Sequence, residues 1–361
     1  MTITQTRPDA TQARPTAAPN GGPATTAGAA GDGVATLTLA KAINLGLRAA
    51  LAADPRVLLM GEDIGTLGGV FRVTDGLAAE FGTDRVVDTP LAESGIVGTA
   101  IGLAMRGYRP VCEIQFDGFV FPAFDQITTQ LAKMHYRTRG KLNLPVVIRI
   151  PYGGGIGAVE HHSESPEVLF AHTAGLRVVT PSSPADAFTM IQEAIASPDP
   201  VIFFEPKGRY WEKGAVDLGR PYATPSGGLD RARIVRRGTD ATLVAYGPTV
   251  HTALRAADAA AAEGRSFEVI DLRAISPLDT DAVAESVRRT GRCIVVHEAP
   301  VTYGTGGEIV ARITEACFYH LQAPVLRVGG WTTPYPIARL EHEYLPSVDR
   351  VLDAVDRALG F

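Results

Sequence analysis

The sequence lacks paired cysteines, an excess of positive charge and long apolar runs, and each absence excludes a class of protein. Cys112, Cys293 and Cys317 are too scattered for a metal-binding motif or a disulfide framework, and they fit buried thiols in a reducing cytoplasm. The formal net charge of -5 gives no basis for binding nucleic acid or an anionic membrane. No apolar run reaches the length of about 18 residues that a membrane-spanning helix needs. We therefore expect a cytoplasmic protein without nucleic acid or membrane among its partners.

The first 35 residues differ in composition from the rest of the chain. Ala, Thr, Gly and Pro dominate them, and their apolar residues show no periodicity. Such a segment buries too little apolar surface to offset the entropy that is lost on ordering. Residues 1–35 are therefore predicted to be a disordered tail. The tail has no continuous apolar stretch for a secretory signal, and its prolines and Asp9 argue against an amphipathic transit helix.

From residue 36 onward, short apolar strands alternate with segments of helical spacing. This alternation indicates an α/β fold with mainly parallel sheets and helices on both faces, which gives three-layer domains. It occurs in two blocks, 36–206 and 233–361, and the Gly-, Pro- and charge-rich segment 207–232 is predicted to link them. Strands are predicted at 56–63, 108–116, 144–151, 176–181, 199–206, 242–247, 267–272, 292–298 and 323–329. Helices are predicted at 36–54, 120–138, 184–197, 249–263, 279–290, 305–320 and 347–359.

Two stretches place a polar residue beside an apolar segment. Glu93 stands before the run GIVGTAIGLAM, which has the composition of a buried helix. A helix N-terminus alone would favour this carboxylate by about 0.3–1 kcal/mol, and a structural role is the alternative to a functional one. Gln115 lies at the end of the predicted strand 108–116 and precedes a phenylalanine-rich loop. Core packing can explain the rings, although α/β folds also bind flat ligands at such strand ends.

A third stretch, PYGGGIGAVEHHSESPE (151–167), combines a glycine-rich loop with two histidines. The glycines predict a loop that is mobile or that contacts a ligand closely. In a strand-like loop, His161 and His162 would point to opposite sides, so a shared metal ion is not expected. Ser163 beside His162 does not make a catalytic triad, because adjacent residues rarely bring hydroxyl and imidazole together. The sequence favours one functional histidine, with an ordinary loop histidine as the alternative.

The chain contains, in this order, the motifs GEDIGTLGGVFRVTDGL, DTPLAESGIVGTAIGLAMRGYRPVCEIQFDGFVFPAFDQI, HHSESPEVLFAHTAGLRVVTPSSPADA, FFEPK, VIDLRAISPLD and VVHEAP. Together they resemble the beta subunit of thiamin-diphosphate-dependent 2-oxo acid dehydrogenases, the decarboxylating component of the pyruvate and branched-chain complexes. The resemblance runs from about residue 36 to the end of the chain. It implies a transketolase-like pyrimidine-binding domain, a transketolase C-terminal domain and an α₂β₂ heterotetramer.

The resemblance also implies roles for four residues. The family glutamate at the position of Glu93 holds a proton on N1′ of the cofactor's aminopyrimidine, so that the 4′-imino group can act as a base. Phe119 matches the aromatic residue that stacks on the pyrimidine, and Gln115 matches a residue of the same pocket. His162 matches the histidine that transfers a proton to the lipoyl group or orients it. By the same alignment, His161 faces away.

The family's diphosphate and Mg²⁺ motif is absent from this chain. GDG at 31–33 lies in the predicted tail without the Asn pair that should follow, and GTGGE at 304–308 has Ile309 in place of a third glycine. The resemblance assigns the diphosphate and Mg²⁺ to an alpha subunit, so the active site is expected between chains. It also implies a possible structural K⁺ held by backbone carbonyls near Val146. The further partner is the lipoyl-bearing dihydrolipoyl acyltransferase core.

The motifs favour branched-chain 2-oxo acids over pyruvate as the substrate. The resulting prediction is a 3-methyl-2-oxobutanoate dehydrogenase (2-methylpropanoyl-transferring), active in branched-chain amino acid catabolism, with a pyruvate dehydrogenase beta subunit as the alternative. A stand-alone transketolase-type enzyme would need the missing diphosphate motif. A non-catalytic scaffold would be expected to have lost Glu93, Phe119 or His162, and all three are present.

Overall fold

The computed structural model describes residues 33–220, 222 and 228–361. Most of the predicted tail, residues 1–32, and part of the predicted linker therefore lie outside the described residues. The strands are β1 (Val34–Thr38), β2 (Val57–Gly61), β3 (Val86–Asp88), β4 (Arg109–Glu113), β5 (Val147–Tyr152), β6 (Arg177–Val179), β7 (Val201–Pro206), β8 (Lys213–Asp217), β9 (Arg233–Arg236), β10 (Ala241–Ala245), β11 (Phe267–Asp271), β12 (Ala274–Ser276), β13 (Cys293–Pro300) and β14 (Leu326–Gly330). The α-helices are α1 (Leu39–Ala53), α2 (Leu77–Phe81), α3 (Glu93–Met105), α4 (Ala132–Arg137), α5 (Glu167–Ala171), α6 (Pro184–Ala196), α7 (Thr249–Ala261), α8 (Thr280–Thr290), α9 (Thr305–Cys317), α10 (Glu341–Tyr344) and α11 (Val348–Leu359).

Two mainly parallel sheets organise the described chain, which confirms the α/β fold class. The first sheet has the order β12-β6-β7-β5-β4-β2-β3, and only β12 runs antiparallel to its neighbour. The second has the order β14-β13-β10-β11-β9, with β9 antiparallel. β12 follows β11 of the second sheet directly in the chain yet pairs with β6 of the first sheet. The chain therefore returns to the first sheet at β12 before it continues in the second sheet at β13.

Both faces of the first sheet are covered by helices, which explains why its strands are almost wholly apolar. In β2, Val57 and Leu59 pack in one core cluster with residues of α1 and α6. Leu58 and Met60 point to the opposite face and pack with residues of α3. The cluster on the α3 side continues into the second domain, where it includes residues of β10, β11, α8 and α9. The two domains thus share one continuous hydrophobic core.

Two predicted helices differ from the structure at their boundaries or in their regularity. Residues 36–38, predicted as helix, belong to β1, which pairs with β8, and α1 begins after Thr38. The predicted helix 120–138 consists of a 3₁₀ turn, a π-helical turn and α4. Pro122 has no backbone N–H to donate. Thr128 Oγ1 donates to the carbonyl of Phe124 at 2.8 Å. Both features disturb a regular helix.

The predicted linker contains ordered structure in its described part. A 3₁₀ turn at Lys207–Arg209 is followed by β8, which pairs with β1 of the first domain. The domain boundaries themselves stay a prediction. No helix in the described part of the chain is both long and apolar enough to cross a membrane.

The composition of α3 suggested a helix that is buried on all sides, but one of its faces is exposed. Gly95, Gly98 and Gly102 are exposed along one face. A Cβ atom added at Gly98 or Gly102 would meet no other atom within 4 Å. The helix therefore presents bare backbone and small residues to its surroundings, next to exposed Leu91 and Met105. An apolar helix with such a face is suited to close packing against another helix.

Candidate active site

The polar residues singled out in the sequence gather at one edge of the first sheet. Glu93 follows β3, Gln115 follows β4, and His162 lies in the segment that follows β5. Because β2, β3, β4 and β5 run parallel, their carboxyl ends meet at the same edge. This edge is where open α/β sheets bind ligands.

Two buried carboxylates, Glu62 and Glu93, lie at this edge. Glu93 is the first residue of α3 and is 8% exposed, whereas Glu62 follows β2 and is 7% exposed. Burial raises the pKa of Glu62, and the negative charges of Glu93 and Asp63 raise it further. Oε1 of Glu62 is buried without a hydrogen-bond partner. Sequence reasoning missed Glu62, although an acid directly at the carboxyl end of an apolar strand was a usable signal.

Gln115 belongs with this carboxylate pair. Its Nε2 donates a long hydrogen bond of 3.5 Å to the backbone carbonyl of Glu62. Within the described residues, Glu93 forms no hydrogen bond or ring contact with Phe119 or His162. The predicted site residues thus form two neighbouring groups at one sheet edge, one of carboxylates and one of rings.

Phe119 and His162 form the second group, because two 3₁₀ turns pack on each other. Phe119 lies in the turn Asp117–Ala123, and the other turn is Glu160–His162. The ring centroids of Phe119 and His162 are 5.1 Å apart in an edge-to-face arrangement. The ring centroid of Phe116 lies 4.2 Å from that of His162. His162 Nδ1 is buried and has no hydrogen-bond partner.

The expectation that His161 faces away from His162 is wrong. Their ring centroids are 4.3 Å apart, and the ring centroid of His161 is also 6.1 Å from that of Phe119. The reason is that residues 160–162 form a 3₁₀ turn, where neighbouring side chains are about 120° apart, instead of the opposite directions of a strand. Burial lowers the pKa of His162, and the charges of His161 and Lys207 lower it further.

The glycine-rich loop after β5 is hydrogen-bonded to the second domain. Gly155 donates its backbone N–H to Oε1 of Glu341 at 2.9 Å, and Gly157 donates to Oε2 of Glu341 at 3.2 Å. Oε1 of Glu341 also accepts the Tyr335 hydroxyl at 2.8 Å. A Cβ atom on Gly154 would overlap the Tyr335 hydroxyl. The loop therefore uses its glycines for close contact with the segment that includes α10.

A buried ion pair between Lys207 and Asp117 lies next to the segment that carries His162 and is hydrogen-bonded to it. Lys207 Nζ lies 2.8 Å from Oδ1 of Asp117, and both side chains are fully buried. Oδ2 of Asp117 accepts the backbone N–H of Glu164 at 2.9 Å. Neither Asp117 nor Lys207 was singled out in the sequence. Asp117 stands directly beside the predicted site residues, but its partner lies 90 residues away in the chain.

Comparison with known proteins gives two families and several similar chains. The family of the transketolase pyrimidine-binding domain matches residues 35–212, and that of the transketolase C-terminal domain matches residues 230–351. A pyruvate dehydrogenase E1 component subunit beta of Leifsonia xyli subsp. xyli is 64% identical over 91% of this chain and 96% of its own length. A 3-methyl-2-oxobutanoate dehydrogenase subunit beta of Mycobacterium tuberculosis is 56% identical over 93% of this chain and 95% of its own length.

A solved structure of a split-gene transketolase, an inactive beta4 tetramer, shares the fold. Its TM-score is 0.71 at 23% identity, and the match covers 90% of this chain and 98% of that chain. With the two family matches, this confirms the expected order of a pyrimidine-binding domain followed by a transketolase C-terminal domain.

Proposed function

The chain belongs to the family of 2-oxo acid dehydrogenase E1 beta subunits, and we propose that it supplies the pyrimidine-binding half of a thiamin diphosphate site. The observation that carries this proposal is the position of Glu93. It is a buried carboxylate on the first residue of α3, beside a second buried carboxylate, Glu62. Two neighbouring buried carboxylates are costly unless a polar partner shares a proton with them.

The residues at this sheet edge fit an aminopyrimidine ring. Oε1 of Glu62 and Nδ1 of His162 are buried without hydrogen-bond partners. Phe119 offers an aromatic side chain next to His162. These unpaired polar atoms and the neighbouring aromatic ring lie at one sheet edge, and they support the binding of a flat, partly polar ring there.

Each residue has a separate task in the proposed site. Thiamin diphosphate would supply the nucleophilic carbon and the electron sink that release of CO₂ from a 2-oxo acid requires. Glu93 would hold a proton at N1′ of its aminopyrimidine through a charge-assisted hydrogen bond. Phe119 would stack on the ring, and Gln115 would contribute from the end of β4. The burial of Glu93 would limit access of water and so strengthen the hydrogen bond.

His162 is proposed to act after decarboxylation, during transfer of the acyl group to a lipoyl group. That transfer reduces the disulfide of the dithiolane ring, and the sulfur that leaves must receive a proton. An imidazole suits this task because its ordinary pKa is about 6.5. Burial and the charges of His161 and Lys207 lower the pKa of His162, which makes its protonated form a stronger acid.

The site is proposed to be completed by an alpha subunit in an α₂β₂ heterotetramer. The bare face of α3, with Gly95, Gly98 and Gly102, begins next to Glu93 and supports helix packing at the site. The alpha subunit would bind the diphosphate and Mg²⁺. We further propose a structural K⁺ held by backbone carbonyls near Val146. A lipoyl-bearing acyltransferase core would dock on the assembled enzyme, and the complex would act in the cytoplasm.

We propose a branched-chain 2-oxo acid such as 3-methyl-2-oxobutanoate as the substrate. The motifs EIQFDGFVFPAFDQI and HHSESPE and the 56% identical relative support this choice. Pyruvate is the second candidate, favoured by the 64% identical relative. Co-expression with candidate alpha subunits, followed by assays of CO₂ release from both acids, tests the proposal. Preference for 3-methyl-2-oxobutanoate supports it, preference for pyruvate selects the second candidate, and turnover by this chain alone would contradict the shared site.

A further inference from the structure

We propose that the buried ion pair Asp117–Lys207 positions His162 for proton transfer, by holding its segment in place and by setting the electrostatic field at its imidazole. The proposal rests on the proposed function, because it concerns the acyl-transfer step assigned to His162. Asp117 and Lys207 do not touch the ring of His162 in a hydrogen bond, so they are positioning residues and not catalytic ones.

Asp117 joins three strand ends through one carboxylate. Its Oδ1 pairs with Lys207 Nζ at 2.8 Å, and its Oδ2 accepts the N–H of Glu164 at 2.9 Å. Asp117 follows β4, Lys207 follows β7, and Glu164 follows His162 by two residues in the segment after β5. The ends of three parallel strands are thus connected at the point where the histidine must be held.

The residues on either side of Asp117 also contact the histidine segment. The ring of Phe116 lies against that of His162, with 4.2 Å between the centroids. A Cβ atom on Gly118 would overlap the backbone carbonyl of His161. The turn that begins at Asp117 therefore fits against the His162 turn through a ring contact, a glycine contact and a hydrogen bond. These contacts leave His162 little freedom to change position.

A buried ion pair is an expensive way to hold two segments together. Taking both charges out of water costs several kcal/mol per ion, and apolar residues of similar volume often give equal or greater stability. Burial raises the pKa of Asp117 to about 6, although Lys207 opposes this shift. Burial likewise lowers the pKa of Lys207, against the attraction of Asp117. Retaining the pair beside the active-site histidine is more easily explained by the charges than by packing.

The positive charge of Lys207 disfavours the imidazolium and lowers the pKa of His162, while the negative charge of Glu160 raises it. Because Asp117 carries the charge opposite to that of Lys207 and is paired with it, we expect its carboxylate to oppose the effect of Lys207 on His162. Removing the charge of Lys207 should therefore raise the pKa of His162, and removing that of Asp117 should lower it. The other charged or titratable groups that face this pair or the histidine are His161, Glu160, Glu164, Glu298 and Glu341.

The test is the pH profile of lipoyl-dependent acyl transfer in the assembled enzyme. Asp117→Asn should move the midpoint to lower pH and Lys207→Gln to higher pH, each by about half a pH unit or more. The double variant should return near the wild-type midpoint. CO₂ release with an artificial electron acceptor should change much less in all three. Lys207→Arg keeps the positive charge and should retain the wild-type midpoint, even if the different length of its side chain slows acyl transfer.

Glu268→Gln is the matched control, because Glu268 is a buried carboxylate in β11 of the second sheet and pairs with Arg289. It should lower the melting temperature without moving the midpoint. Unmoved midpoints in Asp117→Asn and Lys207→Gln, or shifts in the same direction, would overturn the proposal. If Asp117→Asn does not assemble, the midpoints of Lys207→Gln and Lys207→Arg are compared instead. The proposal then requires that Lys207→Gln moves the midpoint and that Lys207→Arg does not. Absence of lipoyl-dependent activity in the wild-type assembly would instead contradict the proposed function.

Discussion

Gly154 of the first domain donates its backbone N–H to Oε1 of Glu298, a buried carboxylate of the second domain. The neighbouring Gly155 and Gly157 donate to Glu341 of the same domain. The glycine-rich loop before His162 is therefore attached to the second domain through carboxylates. This attachment of the loop to the C-terminal domain is a feature that the sequence does not show.

Replacing Glu341 with Ala should loosen the glycine-rich loop. The N–H groups of Gly155 and Gly157 would lose their acceptor, and each such hydrogen bond contributes about 1.5–3 kcal/mol when the acceptor is charged. Hydrogen exchange of peptides covering 153–157 should become faster in the full chain. Glu343→Ala, at an exposed neighbour that pairs with His342, is the control and should leave the exchange unchanged.

Gly118→Ala should disturb His162 without touching it. A methyl group at this position would overlap the His161 carbonyl, so the two turns must separate. We expect a loss of lipoyl-dependent activity that is larger than the loss of decarboxylation. Gly360→Ala provides the comparison, because its added Cβ would make only ordinary contacts at 3.5 Å or more and its φ of -81° suits alanine. Equal loss of both activities in Gly118→Ala would show that the contact serves folding alone.

His162→Ala should separate the two half-reactions. Lipoyl-dependent transfer should fall by about 10²–10⁴-fold, the usual cost of losing a general acid, while CO₂ release with an artificial acceptor falls much less. His161→Ala should raise the pKa of His162, because a neighbouring positive charge is removed. His320→Ala, at an exposed position, is the control and should leave both activities unchanged. A His162→Ala enzyme that is equally slow in both assays would assign the histidine to an earlier step.

The buried Glu167 should make stability depend on pH. Its side chain is fully buried, Tyr246 donates to it at 2.6 Å, and burial raises its pKa to about 8. In the unfolded chain a Glu titrates near about 4.3, so between that pH and about 8 the folded state binds the extra proton. Stability from this group therefore falls as pH rises through this window and is fully lost above it.

Glu167→Gln keeps the size and removes the titration. As the pH rises from 5 to 9, the unfolding free energy of Glu167→Gln should increase relative to that of the wild type. Thermal or denaturant unfolding of the full chain at several pH values measures it. Glu263→Gln, at an exposed position, should show no such trend. A constant difference for Glu167→Gln across this pH range would mean that the carboxyl does not titrate within it.

The apolar pattern predicts most of the two main sheets because their central strands are buried on both faces. The predicted strand 199–206, for example, contains the whole of β7, since most of its residues are apolar and all of them are buried. Short strands were missed where this rule fails: β9 at a sheet edge carries two arginines, and β12 is only three residues long. The pairing of β12 with the first sheet depends on tertiary contacts that periodicity does not encode.

The candidate site residues have different local signals in the sequence: Glu93 precedes an apolar helical run, Gln115 ends a predicted strand and His162 follows a glycine-rich loop. Their roles come from the family resemblance and stay predictions, while the structure places all three at one edge of the first sheet. Lys207 and Glu341 had no comparable signal, since their importance comes from partners far away in the chain. The predicted orientation of His161 was wrong because residues 160–162 form a 3₁₀ turn instead of an extended segment, and this turn packs closely against Gly118, a contact that local sequence cannot reveal.

The central claim is that Glu93 holds the proton that activates thiamin diphosphate bound to this chain and its alpha partner. The most direct measurement is the rate of hydrogen–deuterium exchange at C2 of the bound cofactor, compared between wild type and Glu93→Gln. The exposed Glu80, changed to Gln, is the control. The account predicts exchange slower by about 10²–10⁴-fold in Glu93→Gln, with the assembly and the circular dichroism spectrum unchanged. Exchange at the wild-type rate would contradict it and leave Glu93 as a carboxylate favoured only by its helix terminus.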